Sequence, residues 1–412
     1  MIIDPDSFLV VVIVAAFSPL IAALVNRLLP GVIVPIVVAE IVLGALVGPH
    51  GLDLAAITPT LNFLATLGLG FLFFFAGYEI DFKKIRGAPL WLAVLGWGIS
   101  LVLAYTFAGL LAAAGVVISG LLTGSAMSTT AIGTILPVLE DTAQLKGRFG
   151  PMMLAAGAIG ELGPILIVTL LLSTQSDTGS KALLLAAFVL LTIGAAVASH
   201  ATFDRAWPFL DRTMDTSGQV PIRLTVLLVF ALVVIASKLG LDIILGAFAA
   251  GMIVRMLLEG RDPHRFESKI DAVGFGFLIP FFFIQSGMNL DLAALGGSIH
   301  AVLKVPLFLL GFLVVRGTPA LLLYRGVLDR AERKALALFS STELPLVVAI
   351  TSLGVREGEM RPSTAVALVT AAVLSVLIFP SLAISIRRHD KPEPAGPADP
   401  AVPELTVDPA TG

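Results

Sequence analysis

Apolar residues run along almost the whole chain in long stretches, which charged residues or Pro and Gly breaks separate. Most stretches have about 18 or more residues, the length at which a helix crosses the hydrocarbon core of a bilayer. They are continuous rather than alternating, which indicates helices and not a barrel. The pattern predicts an all-α membrane protein of about 13 transmembrane helices. The predicted segments are 8–28, 32–48, 58–79, 88–114, 116–139, 150–174, 181–201, 220–238, 241–258, 269–288, 298–324, 332–354 and 362–386.

The composition agrees with a membrane protein. Hydrophobic residues make up 57% of the 412 residues and charged residues only 13%, whereas soluble domains carry about 25% charged residues. There is no cysteine, which excludes disulfides and thiolate metal sites. The first apolar stretch follows "MIIDPDS", an acidic start that favours a retained helix over a cleaved signal peptide.

The basic residues predict the orientation in the membrane. If the N-terminus lies outside, 20 of the 26 Lys and Arg residues fall in inner loops and 5 in outer loops. Cytoplasmic loops carry an excess of positive charge, so we expect a multi-pass cell membrane protein with an external N-terminus and a cytoplasmic C-terminus. The transmembrane domain is predicted over 1–388, and the Pro-rich acidic tail 389–412 is predicted to be disordered.

The chain contains two similar halves. "GFLFFFAGYEIDF" at 70–82 recurs as "PFFFIQSGMNLDL" at 280–292, in the third and tenth segments. Because the offset of seven segments is odd, the two halves would lie in the membrane with opposite orientation, as in secondary transporters. We predict two inverted six-helix repeats, at about 8–174 and 220–386, joined by a linker helix at about 181–201. The alternative is chance similarity between segments rich in Phe and Gly.

The fifth and twelfth segments are each predicted to be a broken helix, with the two breaks facing one another. They contain "GSAMSTTAIGTILP" at 124–137 and "FSSTELPLVVAITSLG" at 339–354. Ser and Thr compete for backbone hydrogen bonds, and Pro345 removes a backbone donor. Non-helical backbone within a membrane is tolerated only where it is buried or lines a cavity, and there it offers carbonyls and hydroxyls to a cation. The alternative is helix packing through Ser and Thr without a binding site.

Four ionisable residues fall inside predicted helices, where such residues are costly and usually mark an ion path. Glu161 lies near the middle of the sixth segment and is the predicted site at which a cation and a proton compete. Arg316 requires a carboxylate, and Glu161 or Glu343 is available. For Glu343 a structural pair with Arg316 is favoured over ion binding, and for Glu40 a role in helix packing. The alternative for Glu161 is a structural partnership with Arg316.

These motifs resemble those of the sodium/hydrogen exchanger superfamily, especially the bacterial monovalent cation/proton antiporters that include the Kef-type potassium efflux systems. The similarity runs from about residue 8 to residue 386 and includes "GALVGPHGL", "FFFAGYEID", "SAMSTTAIG" and "LGAFAAGMIV". The resemblance implies a core domain of crossed broken helices, a dimer-forming domain and an elevator-like movement of the core. It also implies that the essential carboxylate falls on Glu161, the basic residue on Arg316, and the crossing stretches on 128–130 and 341–343.

We therefore expect an antiporter that exchanges Na⁺ or K⁺ for H⁺ in a bacterial-type inner membrane. It is expected to be a homodimer in contact with lipid, without a cofactor or a nucleic-acid partner. The transported metal ion is expected at Glu161, with oxygen ligands from Ser128, Thr129 and Thr130. The residues expected to hold the core together are Arg316, Glu343, Ser341 and Thr342.

Gly160 precedes Glu161 at a position where many electrogenic relatives carry a second acid. The resemblance thus implies one cation per proton and an electroneutral exchange. The sequence has no counterpart of the Kef-type nucleotide-binding tail, so gating by a soluble domain is not expected.

A paired nucleophile and base, a phosphate loop and metal-spaced histidines are all absent from the sequence, which argues against an enzyme. Two alternatives stay open: an ion-coupled symporter of organic anions on a similar scaffold, and a non-transporting membrane sensor.

Overall fold

A computed structural model describes residues 4–28, 34–80, 85–172, 205–291 and 299–389, and seven further residues between 184 and 203. Within these ranges the regular secondary structure is helical, with no strand. Nine helices in this part of the chain are long and apolar enough to cross a membrane. The predicted class, an all-α membrane protein, is confirmed, whereas the count of 13 transmembrane helices stays a prediction.

The helices of the first half are α1 (Pro5–Leu28), α2 (Ile36–Val47), α3 (Pro59–Tyr78), α4 (Ala88–Ala113), α5 (Gly120–Met127), α6 (Ile132–Asp141) and α7 (Phe149–Leu172). Those of the second half are α8 (Val220–Lys238), α9 (Ile243–Leu257), α10 (His264–Val273), α11 (Ile279–Met288), α12 (Ile299–Leu323), α13 (Arg330–Ser340), α14 (Pro345–Arg356) and α15 (Pro362–His389). A π-helical turn, Gly274–Leu278, joins α10 to α11.

Helices occupy the predicted segments apart from the seventh, which falls largely outside the described residues, as does the tail from residue 390 onward. The second and ninth segments form helices of only 12 and 15 residues, α2 and α9, which are shorter than the roughly 20 residues of a full crossing. Both predicted breaks are present. Residues 128–131 separate α5 from α6, and residues 341–344 separate α13 from α14.

Polar side chains explain where several helices begin. Thr58, Ser119 and Asp242 each accept a backbone N–H at the start of α3, α5 and α9, respectively. Asp329 and Glu332 form a reciprocal capping box at the start of α13. The first N–H groups of a helix lack carbonyl partners within the helix. These caps therefore set boundaries that the apolar pattern leaves open.

The helices pack as two groups. The scaffold group comprises α1–α3 and α8–α11, and the carrier group comprises α4–α7 and α12–α15. Contacts between the groups are sparser than contacts within them, and they run mainly between α7 and α9 and between α3 and α6. A sparse boundary of this kind is where one group can move against another as a rigid body.

Within the scaffold group, glycines bring the backbones of α3 and α9 together. A Cβ atom at Gly77 would lie within 3.0 Å of the Phe248 carbonyl oxygen, and one at Gly251 within 3.0 Å of the Phe74 carbonyl oxygen. Because a Cβ atom does not fit at either position, both must be glycine. Small residues at reciprocal positions allow the close backbone approach on which helix association in membranes depends.

Helices α2 and α11 make an equivalent contact. Gly44 faces the Ile284 carbonyl oxygen and Gly287 faces the Ile41 carbonyl oxygen, again too closely for a Cβ atom. The α11 residues follow their α3 counterparts by 210 positions, and the α9 residues follow their α2 counterparts by 207. The two helix pairs therefore pack in the same way at equivalent positions in the two halves of the chain.

Candidate functional site

The two breaks meet inside the carrier group. The Ala131 N–H donates to the Thr342 carbonyl oxygen at 2.8 Å, and the Thr130 hydroxyl donates to the Ser340 carbonyl oxygen at 2.6 Å. The Thr130 N–H donates to the Gly160 carbonyl oxygen of α7 at 3.0 Å. Backbone groups released by the breaks thus bond to one another and to α7, which satisfies them away from water.

The hydroxyls before the crossing bond back to their own helix. Ser128 donates to the Ser125 carbonyl oxygen at 2.9 Å, and Thr129 donates to the Ala126 carbonyl oxygen at 3.1 Å. Each hydroxyl oxygen still has lone pairs available for a cation. The Ser128 carbonyl oxygen is already engaged, because the Trp97 indole N–H donates to it at 3.1 Å.

Arg316 anchors the crossing from α12 with its side chain fully inside the protein. Its Nε and Nη2 groups donate to the Thr130 hydroxyl at 3.0 and 2.7 Å, and Nη1 donates to the Ser100 hydroxyl at 3.2 Å. Further bonds reach the carbonyl oxygens of Ala156 at 3.2 Å and Ser340 at 3.4 Å. These acceptors are neutral, so the guanidinium binds the broken helices together without a hydrogen-bonded carboxylate.

The Thr130 hydroxyl is fully engaged in hydrogen bonds in this structure. Its hydroxyl donates to Ser340 and accepts two bonds from Arg316. A hydroxyl has one proton and two lone pairs, so no lone pair is left for a cation in this state. Thr130 therefore serves as the link between Arg316 and the crossing, while Ser128 and Thr129 keep free lone pairs.

Glu343 lies near Arg316, its predicted structural partner, and the described residues show no hydrogen bond between the two side chains. Both Glu343 carboxylate oxygens are buried without a hydrogen-bond partner among the described residues. The charges of Arg316 and Glu343 still interact through space. The backbone of Glu343 is fixed by Ser375, whose hydroxyl bonds to both its N–H and its carbonyl oxygen, at 3.0 and 3.1 Å.

Ser341 and Thr342 support the second break from within its own helix. The Ser341 hydroxyl donates to the Ala337 carbonyl oxygen at 2.7 Å, and the Thr342 hydroxyl donates to the Leu338 carbonyl oxygen at 3.1 Å. The Ser341 N–H also donates to both of these carbonyl oxygens at 3.2 Å, so the two hydroxyls add second bonds to the last carbonyls of α13. These two hydroxyls thus stabilise the end of the helix.

Glu161 lies beside the crossing, at the boundary between the two helix groups. Its side chain is 5% exposed, and its Oε2 atom has no hydrogen-bond partner among the described residues. It lines a cavity of about 40 Å³ together with Thr134 of α6 and an apolar wall from the scaffold group, which includes Phe75 and Phe283. The cavity has room for a water molecule or a small ion, but not for an organic substrate.

Two glycines in α7 make room for this arrangement. A Cβ atom at Gly160 would lie within 3.0 Å of both the Arg316 Nη2 atom and the Thr130 hydroxyl, and one at Gly163 would collide with the Trp97 ring. The space that a second acid before Glu161 would need is thus occupied by the guanidinium. Glu161 is therefore the acid that α7 presents next to the crossing.

A second acid, Glu79, lines the same cavity from the end of α3. It also lines a much larger cavity of about 930 Å³, which extends towards Glu140, Arg86 and Arg261. The Glu79 Oε2 atom has no hydrogen-bond partner among the described residues. The sequence contained the residue in "GYEID", but a charge at a predicted helix end is an ordinary feature of a membrane interface, and Glu79 was not among the expected site residues.

Glu40 lies away from the crossing, in the contact between α1 and α2. It is 3% exposed, and the Ser18 hydroxyl donates to its Oε1 atom at 3.5 Å. This position fits the expected role in helix packing and hydrogen bonding within the scaffold group.

Comparison with known proteins identifies the family. The sequence profile described as "Sodium/hydrogen exchanger, transmembrane" matches residues 12–385. The chain belongs to the sodium/hydrogen exchanger family. The crossing of broken helices, the buried Glu161 and the buried Arg316 all lie within the matched residues.

Curated relatives include bacterial antiporters. The chain is 30% identical over 408 residues to YjbQ of Bacillus subtilis (strain 168), which carries the name of an Na(+)/H(+) antiporter; the match covers 94% of the chain and 64% of YjbQ. It is 26% identical to the glutathione-regulated potassium-efflux system protein KefC of Klebsiella pneumoniae (strain 342), covering 86% of the chain and 57% of KefC. The chain thus spans about two thirds or less of the length of these two relatives.

Two further matches each cover most of this chain and most of the protein with which it is compared. The Na(+)/H(+)-K(+) antiporter GerN of Bacillus cereus is 25% identical, and the match covers 84% of the chain and 89% of GerN. The solved structure of the sodium proton antiporter MjNhaP1 from Methanocaldococcus jannaschii superposes with a TM-score of 0.61 over 93% of the chain and 96% of MjNhaP1. At 13% identity, this likeness establishes the fold of the chain and nothing more specific.

Proposed function

We propose that the protein exchanges a monovalent cation, Na⁺ or K⁺, for H⁺ across the membrane. The observation that carries the proposal is the position of Glu161. This buried carboxyl group has an oxygen without a hydrogen-bond partner in the described part of the chain, lies beside two crossed broken helices, and lines a small cavity at the boundary of two helix groups. The names of YjbQ, GerN and KefC refer to Na⁺, Na⁺ and K⁺, and K⁺ respectively, which supports the choice of cargo.

The proposed chemistry is a competition at one carboxyl group. Glu161 holds either a proton or a cation, because a bound cation requires the ionised carboxylate. Thr129 and Ser128 have hydroxyl lone pairs that can complete the oxygen shell of the cation. One carboxylate that releases one proton for each cation makes the exchange electroneutral, and the Arg316 guanidinium keeps a constant charge throughout.

Alternating access is proposed to follow an elevator-type movement. The carrier group holds Glu161, and the scaffold group is tied internally by the reciprocal glycine contacts of Gly77 with Phe248 and of Gly44 with Ile284. The equivalence of these contacts supports the inverted repeats at about 8–174 and 220–386, with a linker helix at about 181–201. A carrier that slides along a rigid scaffold exposes the same carboxyl to each side in turn.

The placement in the cell is part of the proposal. The basic membrane face, defined here as the face that carries Arg86, Arg255, Arg261, Arg325 and Arg387, would be cytoplasmic, because cytoplasmic loops are enriched in Lys and Arg.

The chain is proposed to form a homodimer. Exposed apolar side chains along α1, such as Leu9, Phe17 and Leu24, would then contact lipid or the second subunit.

The experiment is transport by purified protein in sealed proteoliposomes that contain a pH-sensitive dye. Addition of Na⁺ or K⁺ should change the internal pH, and an imposed membrane voltage should leave the rate unchanged. Glu161→Gln should abolish the response. Glu357→Gln is the matched control, because Glu357 is exposed at the end of α14. Full activity of Glu161→Gln, or uptake of an organic anion in place of exchange, would refute the proposal.

A further inference from the structure

Glu79 lies between the two cavities. It lines both the small cavity with Glu161 and the large cavity that reaches the basic face. Its carboxylate lies opposite the start of α6, where a Cβ atom at Gly133 would be 3.2 and 3.4 Å from the two carboxylate oxygens. A cation that travels from the basic face to Glu161 would therefore pass directly beside this side chain.

The matched packing of the two halves assigns a counterpart to Glu79. Because α11 follows α3 by 210 positions, Tyr78 corresponds to Met288 and Glu79 to Asn289. The correspondence continues one turn beyond the glycines: Gly48 packs on Met288, and Arg255, 207 positions after Gly48, lies over the Tyr78 ring. Asn289 follows α11, which runs away from the basic face, and its side chain is exposed.

We propose that the two mouths of the transport path differ in chemistry: Glu79 is a cation-staging site on the basic face, and the neutral Asn289 holds the equivalent place on the opposite face. This inference rests on the proposed exchange and on the inverted repeats. Two features support a ligand at the first mouth: one oxygen of Glu79 and one oxygen of the buried Glu161, in the same cavity, lack a hydrogen-bond partner within the described ranges. A carboxylate attracts a cation before it reaches the transport site, whereas an amide carries no net charge.

The test measures the apparent KM for Na⁺ at fixed pH from each side, with everted and right-side-out membrane vesicles. Wild-type protein should have the lower KM for Na⁺ supplied to the basic face. Glu79→Gln should raise that KM by about tenfold and change the KM on the opposite face by less than twofold. Asn289→Glu should lower the KM on the opposite face. Glu357→Gln is the control, because Glu357 is exposed at the end of α14 and lines neither cavity, and it should change neither KM by more than twofold.

Several results would overturn the inference while leaving the exchange itself intact. An equal change of KM on both faces would assign Glu79 to the transport site, and unchanged KM values on both faces would remove it from the path. If Glu79→Gln fails to fold, the Asn289→Glu variant alone tests the inference. An unaltered KM on the opposite face in that variant contradicts the proposed equivalence of Glu79 and Asn289. Absence of Na⁺-dependent and K⁺-dependent exchange in wild-type protein would instead refute the proposed function.

Discussion

Thr129 and Thr130 are adjacent residues of the same type, yet their hydroxyls have different surroundings. Thr130 bonds to Arg316 and to Ser340, which leaves it without a free lone pair. Thr129 donates to the Ala126 carbonyl oxygen and lies beside the Glu343 carboxyl group. We therefore assign Thr130 to the stability of the crossing and Thr129 to cation binding.

Substitution of each threonine by valine tests this assignment. Thr130→Val removes the acceptor of two guanidinium bonds inside the protein, so we expect a loss of about 2–4 kcal/mol of stability. Thr129→Val removes one bond to a carbonyl, so we expect a loss of about 1 kcal/mol together with a higher KM for the cation. Thermal unfolding in detergent and proteoliposome exchange measure the two effects. Equal losses of stability would contradict the assignment.

A second prediction for a single residue concerns the effect of substituting Gly160 on stability and exchange. In Gly160→Ala the added methyl group would displace the Arg316 guanidinium, and overpacking of this kind costs about 1–3 kcal/mol. The melting temperature should fall and exchange should slow. Gly98→Ala in α4 is the control, because no atom lies within 4 Å of its added Cβ, and it should stabilise the helix by up to about 1 kcal/mol. A stable, fully active Gly160→Ala would show that Arg316 can move freely.

At the scale of elements, the reciprocal glycine contacts join the short helix α9 to α3, and the short helix α2 to α11, which is the end of the continuous 25-residue stretch His264–Met288. Neither short helix spans a bilayer by itself, but each packs backbone to backbone against a helix of the opposite half. The scaffold group thus derives its rigidity from close approach, and not from the apolar character that all its helices share.

The equivalent packing of the two helix pairs, α3 with α9 and α2 with α11, leads to a prediction about stability. Gly251→Ala and Gly44→Ala should each push two backbones apart, and the two should lower the melting temperature to a similar extent. Gly70→Ala in α3 is the control, since no atom lies within 4 Å of its added Cβ. A large effect of Gly251→Ala beside a negligible effect of Gly44→Ala would argue against equivalent halves.

At the scale of the whole molecule, the sparse boundary between the two helix groups is where movement is expected. Because the sequence contains no cysteine, pairs of introduced cysteines can be linked selectively. Ala76→Cys with Thr134→Cys places one thiol on each group around the small cavity, and a short bifunctional reagent should stop exchange. Asn62→Cys with Gln285→Cys is the control, because these side chains are hydrogen-bonded within the scaffold group. Exchange that continues in the first linked pair would contradict the elevator-type movement.

Much of the fold and part of the site followed from the chain alone. The apolar stretches located the membrane helices, because a helix in lipid must be apolar over its whole length. Glu161 stood out because it is the only ionisable residue between Met152 and Ser173. The Ser- and Thr-rich interruptions located both breaks, because side chains that compete for backbone bonds weaken a helix wherever they cluster.

Other properties depended on contacts between residues far apart in the chain. Arg316 was expected to bind a carboxylate, but neutral oxygens from four separate segments satisfy its guanidinium. In the sequence, Glu79 resembles an ordinary charge at a membrane interface. The packing of α3 against α6 places it where it lines both cavities. Hydropathy and spacing reflect the cost of each residue in lipid, whereas the partner of a buried polar atom depends on which helices are brought together in space.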